Sequence, residues 1–381
     1  MGRQGIFVNN LSGYRSFKPS NLKDVEKKLV FDKEINNLIT TLHENLTKIN
    51  TMSELIQDAD LFLYAYVYEE ALESSKIEGT NCTMEDIFLN IKNDAKVSKN
   101  KFEDIKETIS NINAIEKGIK RLKTLPICTR FFKEIHKILL SNVRGKNKNP
   151  GEIRTTQNWI GGNSIKEASF IPPNVDDMNE SLKELDDYIN EEKTNVDKII
   201  KTALIHYQFE TIHPFLDGNG RLGRIIILLY LMQEKLLLKP NVYMSYYLKM
   251  HQVEYYHSLM EVRLNDKYEE YIKFFLHCLN DTTKSVINRI NNIDELHKKN
   301  LSKLPMTNRE KDTAKIVFNY IEKNPIFSIK DIQEEVKLSY NTINTVVIKL
   351  EELNIVKKIE DVKRNRLYIY EEYVKMFRGV G

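Results

Sequence analysis

Residues 213–224 have the sequence "HPFLDGNGRLGR", and this stretch decides how the rest of the chain is interpreted. Within it, residues 218–223 match the GxGxxG pattern of dinucleotide-binding folds. That pattern requires a β-strand immediately before its first glycine. Residues 196–212 instead have the apolar spacing of a helix, and Pro214 ends that helix. The sequence therefore does not predict a Rossmann-type oxidoreductase.

The glycines of this stretch still favour an anion-binding loop. Gly218 and Gly220 can adopt positive φ, so that consecutive backbone N–H groups face one anion. Residues 221–238 are apolar on nearly every face and are expected to form a buried central helix. Its N-terminus, which follows the glycines directly, favours a phosphate group.

Four side chains of the stretch have chemistry that suits phosphoryl or nucleotidyl transfer: His213, Asp217, Arg221 and Arg224. The histidine can remove a proton from a hydroxyl group, because the usual pKa of this side chain lies near neutrality. The aspartate is a hard oxygen ligand for Mg²⁺. The two arginines are three residues apart and can reach the same polyphosphate. Any one of these residues is common in a loop between helices, but together they indicate a site.

The stretch resembles the signature of the Fic family, HPFx(D/E)GNGRxxR, and matches it at every fixed position. Members with the intact signature typically transfer AMP from ATP to a hydroxyl side chain of a target protein. The resemblance implies that His213 is the general base and that Asp217 holds Mg²⁺ on the α- and β-phosphates. Pro214 and Phe215 have structural roles in this resemblance.

The resemblance also assigns the phosphate contacts. Asn219 and the backbone from Gly218 to Gly220 cradle the phosphates, Arg221 contacts the β-phosphate and Arg224 the γ-phosphate. Relatives that phosphorylate depart from the signature near Gly220, and this chain does not, so AMP transfer is favoured. The phosphate contacts do not exclude UTP or GTP as the donor.

A second motif precedes the first by almost 140 residues. Ser74, Glu78 and Gly79 are similar to the inhibitory motif (S/T)xxxE(G/N) of Fic proteins that carry their own inhibitory helix, here about residues 62–79. In this resemblance Glu78 pairs with Arg224 and takes the site of the γ-phosphate, and relatives also use this glutamate to remove AMP. The alternative is an ordinary acidic helix end.

Two further segments resemble parts of the Fic active site. A hairpin is predicted at Gly161, Gly162 and Asn163, and in the family this position is a flap that binds the target by strand addition; its predicted residues are Trp159, Ile160, Gly161, Gly162 and Asn163. Residues 254–266 resemble the segment that lines the nucleotide-base pocket, with Tyr255, Tyr256 and Arg263 as contacts. Several relatives have asparagine in place of the arginine. His206 is expected to be a packed core histidine.

The predicted fold class is all-α, a Fic-type helical core with a small β-hairpin flap, followed by a winged helix-turn-helix domain. The predicted division comprises an N-terminal helical region (1–125), a Fic core (126–285), a polar helix or linker (286–307) and a winged helix (308–381). The 381 residues are 41% hydrophobic and 29% charged, with a net charge of +3, which is typical of a soluble globular protein.

The sequence says less about the binding partners and the cellular compartment than about the fold. Three dispersed cysteines, no apolar leader and no apolar run near 20 residues predict a cytoplasmic protein without a membrane span. Residues 301–381 carry a net charge of +3, and the wing supplies Lys357, Lys358, Lys363, Arg364 and Arg366. The winged helix therefore suits either DNA or protein docking. A homodimer is common in the family, and the alternative function is a DNA-binding regulator with a nucleotide-sensing Fic core.

Overall fold

The computed structural model describes residues 2–55, 60–91, 98–141, 147–304, 308–359 and 366–376. The described chain is mostly helical, which confirms the predicted class. The first nine helices are α1 (Leu22–Glu26), α2 (Lys33–Leu55), α3 (Asp60–Ile77), α4 (Met84–Ile91), α5 (Lys99–Leu122), α6 (Thr129–Leu139), α7 (Val175–Ile189), α8 (Lys198–Ile212) and α9 (Asn219–Gln233). The others are α10 (Met244–Met250), α11 (Gln252–Asn265), α12 (Tyr268–Ser302), α13 (Asn308–Lys323), α14 (Ile329–Glu335), α15 (Tyr340–Glu352) and α16 (Glu371–Lys375).

Helices α8 and α9 form the centre of the molecule. Every residue from Ile199 to Ile212 in α8 is buried, and α9 is buried from Arg221 to Leu231. Because these helices have no polar face, they must be covered on all sides, and α3, α5, α6, α7 and α12 provide that cover. The loop that joins them, residues 213–218, therefore lies at the edge of a rigid core.

An N-terminal β-hairpin was not predicted from the sequence. Strands β1 (Gly5–Asn9) and β2 (Arg15–Pro19) pair antiparallel. The buried ring of Phe17 in β2 lies 5.9 Å from the ring of Phe170, and the Phe17 N–H donates to the Ile171 carbonyl at 3.0 Å. The hairpin therefore supports the segment that covers the active site.

Helix α3 is held against the core by a buried ion pair. Glu69 of α3 and Arg289 of α12 are 2% and 5% exposed and form a bidentate contact. The guanidinium of Arg289 also lies 4.5 Å from the centre of the Tyr243 ring, and that ring stacks on Tyr66. An uncompensated charge here would be costly, so these contacts fix the position of α3 relative to α12.

Helix α12 is longer than predicted. Residues 286–302, expected to form a polar helix or linker, are its last turns, and Ile290, Ile293 and Leu296 are buried there. The apolar positions recur at three- and four-residue spacing, so the helix continues to bury one face.

The C-terminal unit contains the predicted helices α13, α14 and α15. A three-stranded antiparallel sheet accompanies them, with β3 (Ile326–Ser328), β4 (Lys357–Lys358) and β5 (Leu367–Ile369) in the order β3-β5-β4. Identification of this unit as a winged helix stays a prediction. Lys363 and Arg364 of the predicted wing lie outside the described residues. The helices of the described chain lack the combination of length and apolar character that crossing a bilayer requires.

Candidate active site

A cavity of about 430 Å³ lies where the loop between α8 and α9 faces α3 and α11. From the predicted phosphate loop, its lining includes His213, Asp217, Gly218, Asn219, Gly220 and Arg224. From the other predicted segments, it includes Glu78, Trp159, Ile160, Tyr255, Tyr256 and Arg263. Predicted residues outside this lining are Ser74, Gly79, Gly161, Gly162, Asn163 and Arg221. The cavity thus brings together segments that are far apart in the sequence.

His213 ends helix α8 in a left-handed conformation, with φ 50° and ψ 59°. This conformation is unfavourable for a residue with a side chain, so the surroundings must stabilise it. The His213 carbonyl accepts hydrogen bonds from Arg154 Nε at 3.0 Å and from Asn158 Nδ2 at 3.1 Å. The Arg154 N–H donates to the Pro214 carbonyl at 3.0 Å. Two side chains from the segment before α7 therefore hold the bend.

The imidazole of His213 is set up to accept a proton at Nε2. Its Nδ1 lies 3.3 Å from the Glu210 carbonyl, and because a carbonyl oxygen can only accept, Nδ1 carries the proton. Burial lowers the pKa of His213 to about 4, and the positive charges of Arg263 and Arg154 act in the same direction. The neutral form, which a general base requires, therefore predominates at neutral pH.

The anion loop differs in one respect from the sequence expectation. Gly218 has φ 77° and begins α9, but Gly220 lies inside that helix and does not adopt positive φ. The reason for glycine at position 220 is space, because a Cβ there would lie 2.5 Å from Glu78 Oε1 and 3.0 Å from Arg224 Nη1. Only Gly218 supports the expectation of positive φ.

Asn219 stabilises the loop through its side chain. Its Oδ1 accepts from the Phe215 N–H at 2.9 Å, and its Nδ2 donates to the Phe215 carbonyl at 2.8 Å. The side-chain amide is therefore used within the loop. Its contribution to binding a phosphate is limited to the backbone at the start of α9.

His136 on α6 supports the loop from beneath. Its Nδ1 accepts from the Gly151 N–H at 2.8 Å, so its Nε2 carries the proton and donates to the Asp217 carbonyl at 2.8 Å. The imidazole stacks on Phe215, with ring centres 3.8 Å apart. Burial lowers the pKa of His136 to about 4, which keeps this arrangement neutral. Phe215 is fully buried, as the sequence predicted.

Arg224 is held by the end of helix α3. Its Nη2 lies 2.6 Å from Glu78 Oε1 and 3.0 Å from the Ser74 carbonyl, and its Nε donates to Ser74 Oγ at 2.9 Å. The Arg224 side chain is 1% exposed, whereas that of Glu78 is 37% exposed. Burial opposes ionisation of Glu78, but the attraction of Arg224 outweighs it and lowers the pKa of Glu78. Glu78 is therefore ionised and paired at neutral pH. Gly79 has φ 93°, which ends the segment.

Arg221 lies on the other side of the loop. Its Nη1 is 3.8 Å from Glu107 Oε2, and its Nη2 is 3.6 Å from Asp217 Oδ1. These contacts are too long for hydrogen bonds, and among the described residues the buried Nε and Nη1 have no hydrogen-bond partner. In this conformation Arg224 lines the cavity and Arg221 does not, so the expectation that both arginines face one polyphosphate stays a prediction.

The predicted flap contains less β-structure than a hairpin would have. A single antiparallel bridge joins Ile160 and Phe170, with the Ile160 N–H donating to the Phe170 carbonyl at 2.9 Å. Gly161 and Gly162 have φ values of 74° and 70°, and the chain then forms a loop rather than a two-residue turn. Asn163 belongs to this loop, where its N–H donates to the Glu167 carboxylate at 3.1 Å.

Trp159, next to the bridge, is 41% exposed and lines the cavity. An exposed indole next to a short antiparallel bridge offers an apolar surface beside extended backbone. The side chain of Arg263 lies beneath this segment, with its guanidinium 3.9 Å from the centre of the Phe170 ring. Its Nε donates to Thr211 Oγ1 at 3.1 Å.

The two tyrosines of α11 occupy different environments. Tyr255 is buried, and its hydroxyl lies 2.7 Å from His206 Nε2, whereas Tyr256 is 45% exposed. The other ring nitrogen of His206 lies 3.0 Å from the Gly223 carbonyl, and burial lowers its pKa to about 3. His206 is therefore a buried, neutral histidine that orients Tyr255, in agreement with the sequence expectation for it.

Four residues of the site were not identified from the sequence: His136, Arg154, Asn158 and Glu210. Arg154 and Asn158 belong to the segment that resembles the approach to the flap, but no periodic pattern distinguishes a buried arginine from an exposed one. His136 lies on the buried side of an amphipathic helix, where a histidine is unusual, and this was the available signal. Glu210 is a carboxylate within an otherwise apolar helix, one turn before His213.

This fold and site define a class: a helical protein with a glycine loop at the start of a buried helix, where the backbone suits an anion, and a neutral histidine beside it. The Fic/DOC family model matches residues 126–231, and the model of the Fic/DOC family N-terminal region matches residues 37–120. Residues 126–231 thus form a Fic/DOC domain, and the N-terminal region of the same family precedes it.

Two curated relatives illustrate the similarity. Protein adenylyltransferase fic-1 of Caenorhabditis elegans is 33% identical over 122 residues, which are 31% of this chain and 22% of that protein. Protein adenylyltransferase Fic of Drosophila grimshawi is 28% identical over 162 residues, which are 42% of this chain and 30% of that protein. The chain thus spans less than a third of the length of either relative.

Two solved structures share the fold. A Fic family protein from Desulfovibrio desulfuricans G20 superposes with a TM-score of 0.58 over 90% of this chain and 97% of that chain, at 18% identity. A Fic domain-containing signaling protein from Bacteroides thetaiotaomicron VPI-5482 superposes with a TM-score of 0.51 over 68% of this chain and 97% of that chain, at 19% identity. At these identities the likeness concerns the fold.

Proposed function

We propose that this protein is a protein adenylyltransferase that transfers AMP from ATP to a hydroxyl side chain of a target protein. The observation that carries the proposal is the neutral His213 imidazole in the same cavity as the Gly218 loop and the Arg224 guanidinium. A base, an anion-binding backbone and a buried cation are the groups that nucleotidyl transfer needs. The names of the curated relatives agree with this activity.

In this mechanism the hydroxyl oxygen of the target attacks the α-phosphorus of ATP. His213 Nε2 takes the hydroxyl proton while the new O–P bond forms. The bond between the α-phosphorus and the oxygen bridging to the β-phosphate breaks, and pyrophosphate leaves with that bonding pair. The N–H groups at the start of α9 and the Arg224 guanidinium bind the phosphates, because their positive ends face the cavity there.

Asp217 is the residue that would hold Mg²⁺. Its carboxylate lines the cavity beside the anion loop, with Oδ1 accepting from the Gly218 N–H at 2.6 Å. One carboxylate together with phosphate oxygens and waters is a set of ligands that suits Mg²⁺. When bound, Mg²⁺ would neutralise negative charge on the phosphates. The residues present therefore fit the ion.

Arg221 supports the proposal through its unused donors. A buried guanidinium whose Nε and Nη1 find no hydrogen-bond partner among the described residues is costly unless a ligand completes it. Asp217 of the loop lies 3.6 Å from Arg221 Nη2, so a phosphate bound at the loop would be close enough to supply such a ligand. Binding of the β-phosphate would require a change in the Arg221 side chain.

We further propose that Glu78 restrains the reaction. Its carboxylate occupies the exposed side of the Arg224 guanidinium, where the γ-phosphate of a productively bound ATP would lie. Two anions cannot share that position, so ATP binds productively only when Glu78 moves away. The same carboxylate is near enough to the cavity to orient a water molecule, which makes removal of AMP a reverse activity to be tested.

The target segment is proposed to bind at the flap. The backbone beyond the Ile160–Phe170 bridge offers a strand edge, and Trp159 supplies an exposed apolar side chain beside the cavity. An extended segment of the target can add to this edge and present its hydroxyl to His213.

Labelled ATP tests the proposal. The Glu78→Gly protein, incubated with Mg²⁺ and ATP labelled at the α-phosphate, is expected to label itself or proteins of a lysate, and His213→Ala in that background should abolish labelling. His257→Ala, which removes a 72% exposed histidine of α11, is the control and should keep the activity. If neither form labels any protein while the full chain binds DNA with a steep salt dependence, the regulator alternative replaces this proposal.

A further inference from the structure

Glu210 is a buried carboxyl group of the cavity that the mechanism above does not use. It lies on α8 one turn before His213, is 7% exposed, and lines the cavity. In the part of the chain that the structure describes, its Oε1 has no hydrogen-bond partner. A buried carboxyl oxygen without a partner is costly, so it indicates either a strained core or a group that a ligand completes.

The surroundings of Glu210 favour the second explanation. Burial raises the pKa of Glu210 to about 7, while the positive charges of Arg224 and Arg263 favour its carboxylate and the Glu78 carboxylate opposes it. No side chain of the described cavity lining donates to its Oε1. The carboxyl group therefore shares the cavity with two arginines, Arg224 and Arg263, and has an oxygen that neither of them completes.

Space for this carboxyl group is provided by Gly223. A Cβ on Gly223 would overlap Glu210 Oε1, and glycine is not a fixed residue of the family signature at this position. The pair Glu210 and Gly223 thus creates one feature, an acceptor oxygen on the floor of the cavity.

We infer that Glu210 accepts a hydrogen bond from an O–H or N–H group of the nucleoside part of the bound nucleotide. In its carboxylate form Glu210 only accepts hydrogen bonds, and phosphate oxygens are also acceptors and carry negative charge, so they cannot be the partner of that form. The donors of ATP are the ribose hydroxyls and the 6-amino group of adenine, which share this chemistry. The inference rests on the proposed function, because it requires a nucleotide in this cavity. In this role Glu210 determines which nucleotide the cavity prefers.

The test compares nucleotide affinities by calorimetry in the Glu78→Gly background, where the cavity is free of the Glu78 carboxylate. The probes are ATP, 2′-deoxy-ATP, 3′-deoxy-ATP and purine riboside triphosphate, which lacks the 6-amino group. One analogue should bind at least about tenfold more weakly than ATP, since a site that hydrogen-bonds a ligand group rejects ligands without it. The analogue that binds more weakly shows whether the partner of Glu210 is a ribose hydroxyl or the 6-amino group of adenine.

Glu210→Ala should remove that penalty, so that ATP and the sensitive analogue bind with equal, weakened affinity. Gly223→Ala, which displaces the carboxyl group without deleting it, should have the same effect. Glu270→Gln removes a carboxylate of α12 that is 62% exposed and should leave every affinity unchanged. Thermal unfolding of each variant establishes that it is folded.

The inference is overturned if the analogue penalty is the same with and without Glu210, because a merely structural residue would weaken all nucleotides equally. It is also overturned if no analogue is penalised, or if no nucleotide binds. Failure of the proposed function is distinguishable: a protein that discriminates the analogues through Glu210 but transfers no AMP refutes the activity alone. A protein that transfers AMP with unchanged discrimination refutes the inference alone.

Discussion

Replacing Glu78 by glycine removes the carboxylate that lies 2.6 Å from Arg224 Nη2. The substitution should not disturb α3, because that helix ends at Ile77 and glycine is well tolerated just beyond a helix end. Arg224 keeps its two contacts with Ser74, at 2.9 Å and 3.0 Å, so the guanidinium remains in place. The change therefore isolates the competition between Glu78 and the γ-phosphate.

The size of the effect follows from that single contact. A hydrogen bond to a charged group contributes about 1.5–3 kcal/mol, and partial solvent exposure favours the lower end of that range. Glu78 is 37% exposed at its side chain, so the lower value applies. Because about 1.4 kcal/mol corresponds to a factor of ten, productive ATP binding should rise about tenfold.

The assay is the initial rate of AMP incorporation from labelled ATP at a concentration well below saturation. Glu78→Gly should exceed the unmodified protein by about tenfold. Glu73→Gln is the control, because Glu73 lies on the same helix but contacts Lys76 and Lys249 instead of Arg224. Equal rates for Glu78→Gly and the unmodified protein, with both shown to bind ATP, would refute the competition between carboxylate and phosphate.

Three further outcomes are expected. With a pKa of about 4, His213 stays neutral as the pH falls from 8 to 5.5. The rate of AMP transfer by Glu78→Gly at saturating ATP should therefore not decline around pH 6.5, the usual pKa of a histidine, and a pH–rate profile checks this. Arg154→Met removes the hydrogen bonds that the guanidinium donates to the His213 and Pro173 carbonyls and should lower the free energy of unfolding by about 2–4 kcal/mol in urea, whereas Arg130→Met, at a 73% exposed side chain, should have little effect. Gly218→Ala, at φ 77°, should cost about 1–2 kcal/mol of stability by thermal unfolding, and Gly218→Asn clearly less.

The helical core could be predicted because its signals are local. Residues 196–212 and 221–238 are apolar at nearly every position, which only a helix surrounded by other helices can bury. The N-terminal hairpin was missed, although Ile6, Phe7 and Val8 are strand formers followed by a glycine turn. Strands this short are stabilised by packing against Phe170, a contact that sequence spacing does not reveal.

The sequence indicated which residues belong to the site but not how they are arranged in space. The signature predicts that His213 and Arg224 share a site, but spacing alone could not place Arg221 outside the cavity lining. That placement depends on Glu107 of α5, about 110 residues earlier. Glu210 had no motif to identify it, since its position is defined by the glycine that makes room for it in another helix.

The two contacts of helix α3 with Arg224 differ in how firmly the chain holds them. Ser74 lies within the helix, one turn before its end, whereas Glu78 lies beyond Ile77 in the segment that turns at Gly79. Fraying of a few terminal residues can thus withdraw the carboxylate while Ser74 continues to orient the guanidinium. Deleting the whole helix would instead leave a 1% exposed arginine without its support. Under the proposal that Glu78 restrains AMP transfer, helix α3 both opposes productive binding of ATP and orients Arg224, so a partner would need to displace only the residues that follow Ser74 to activate the protein.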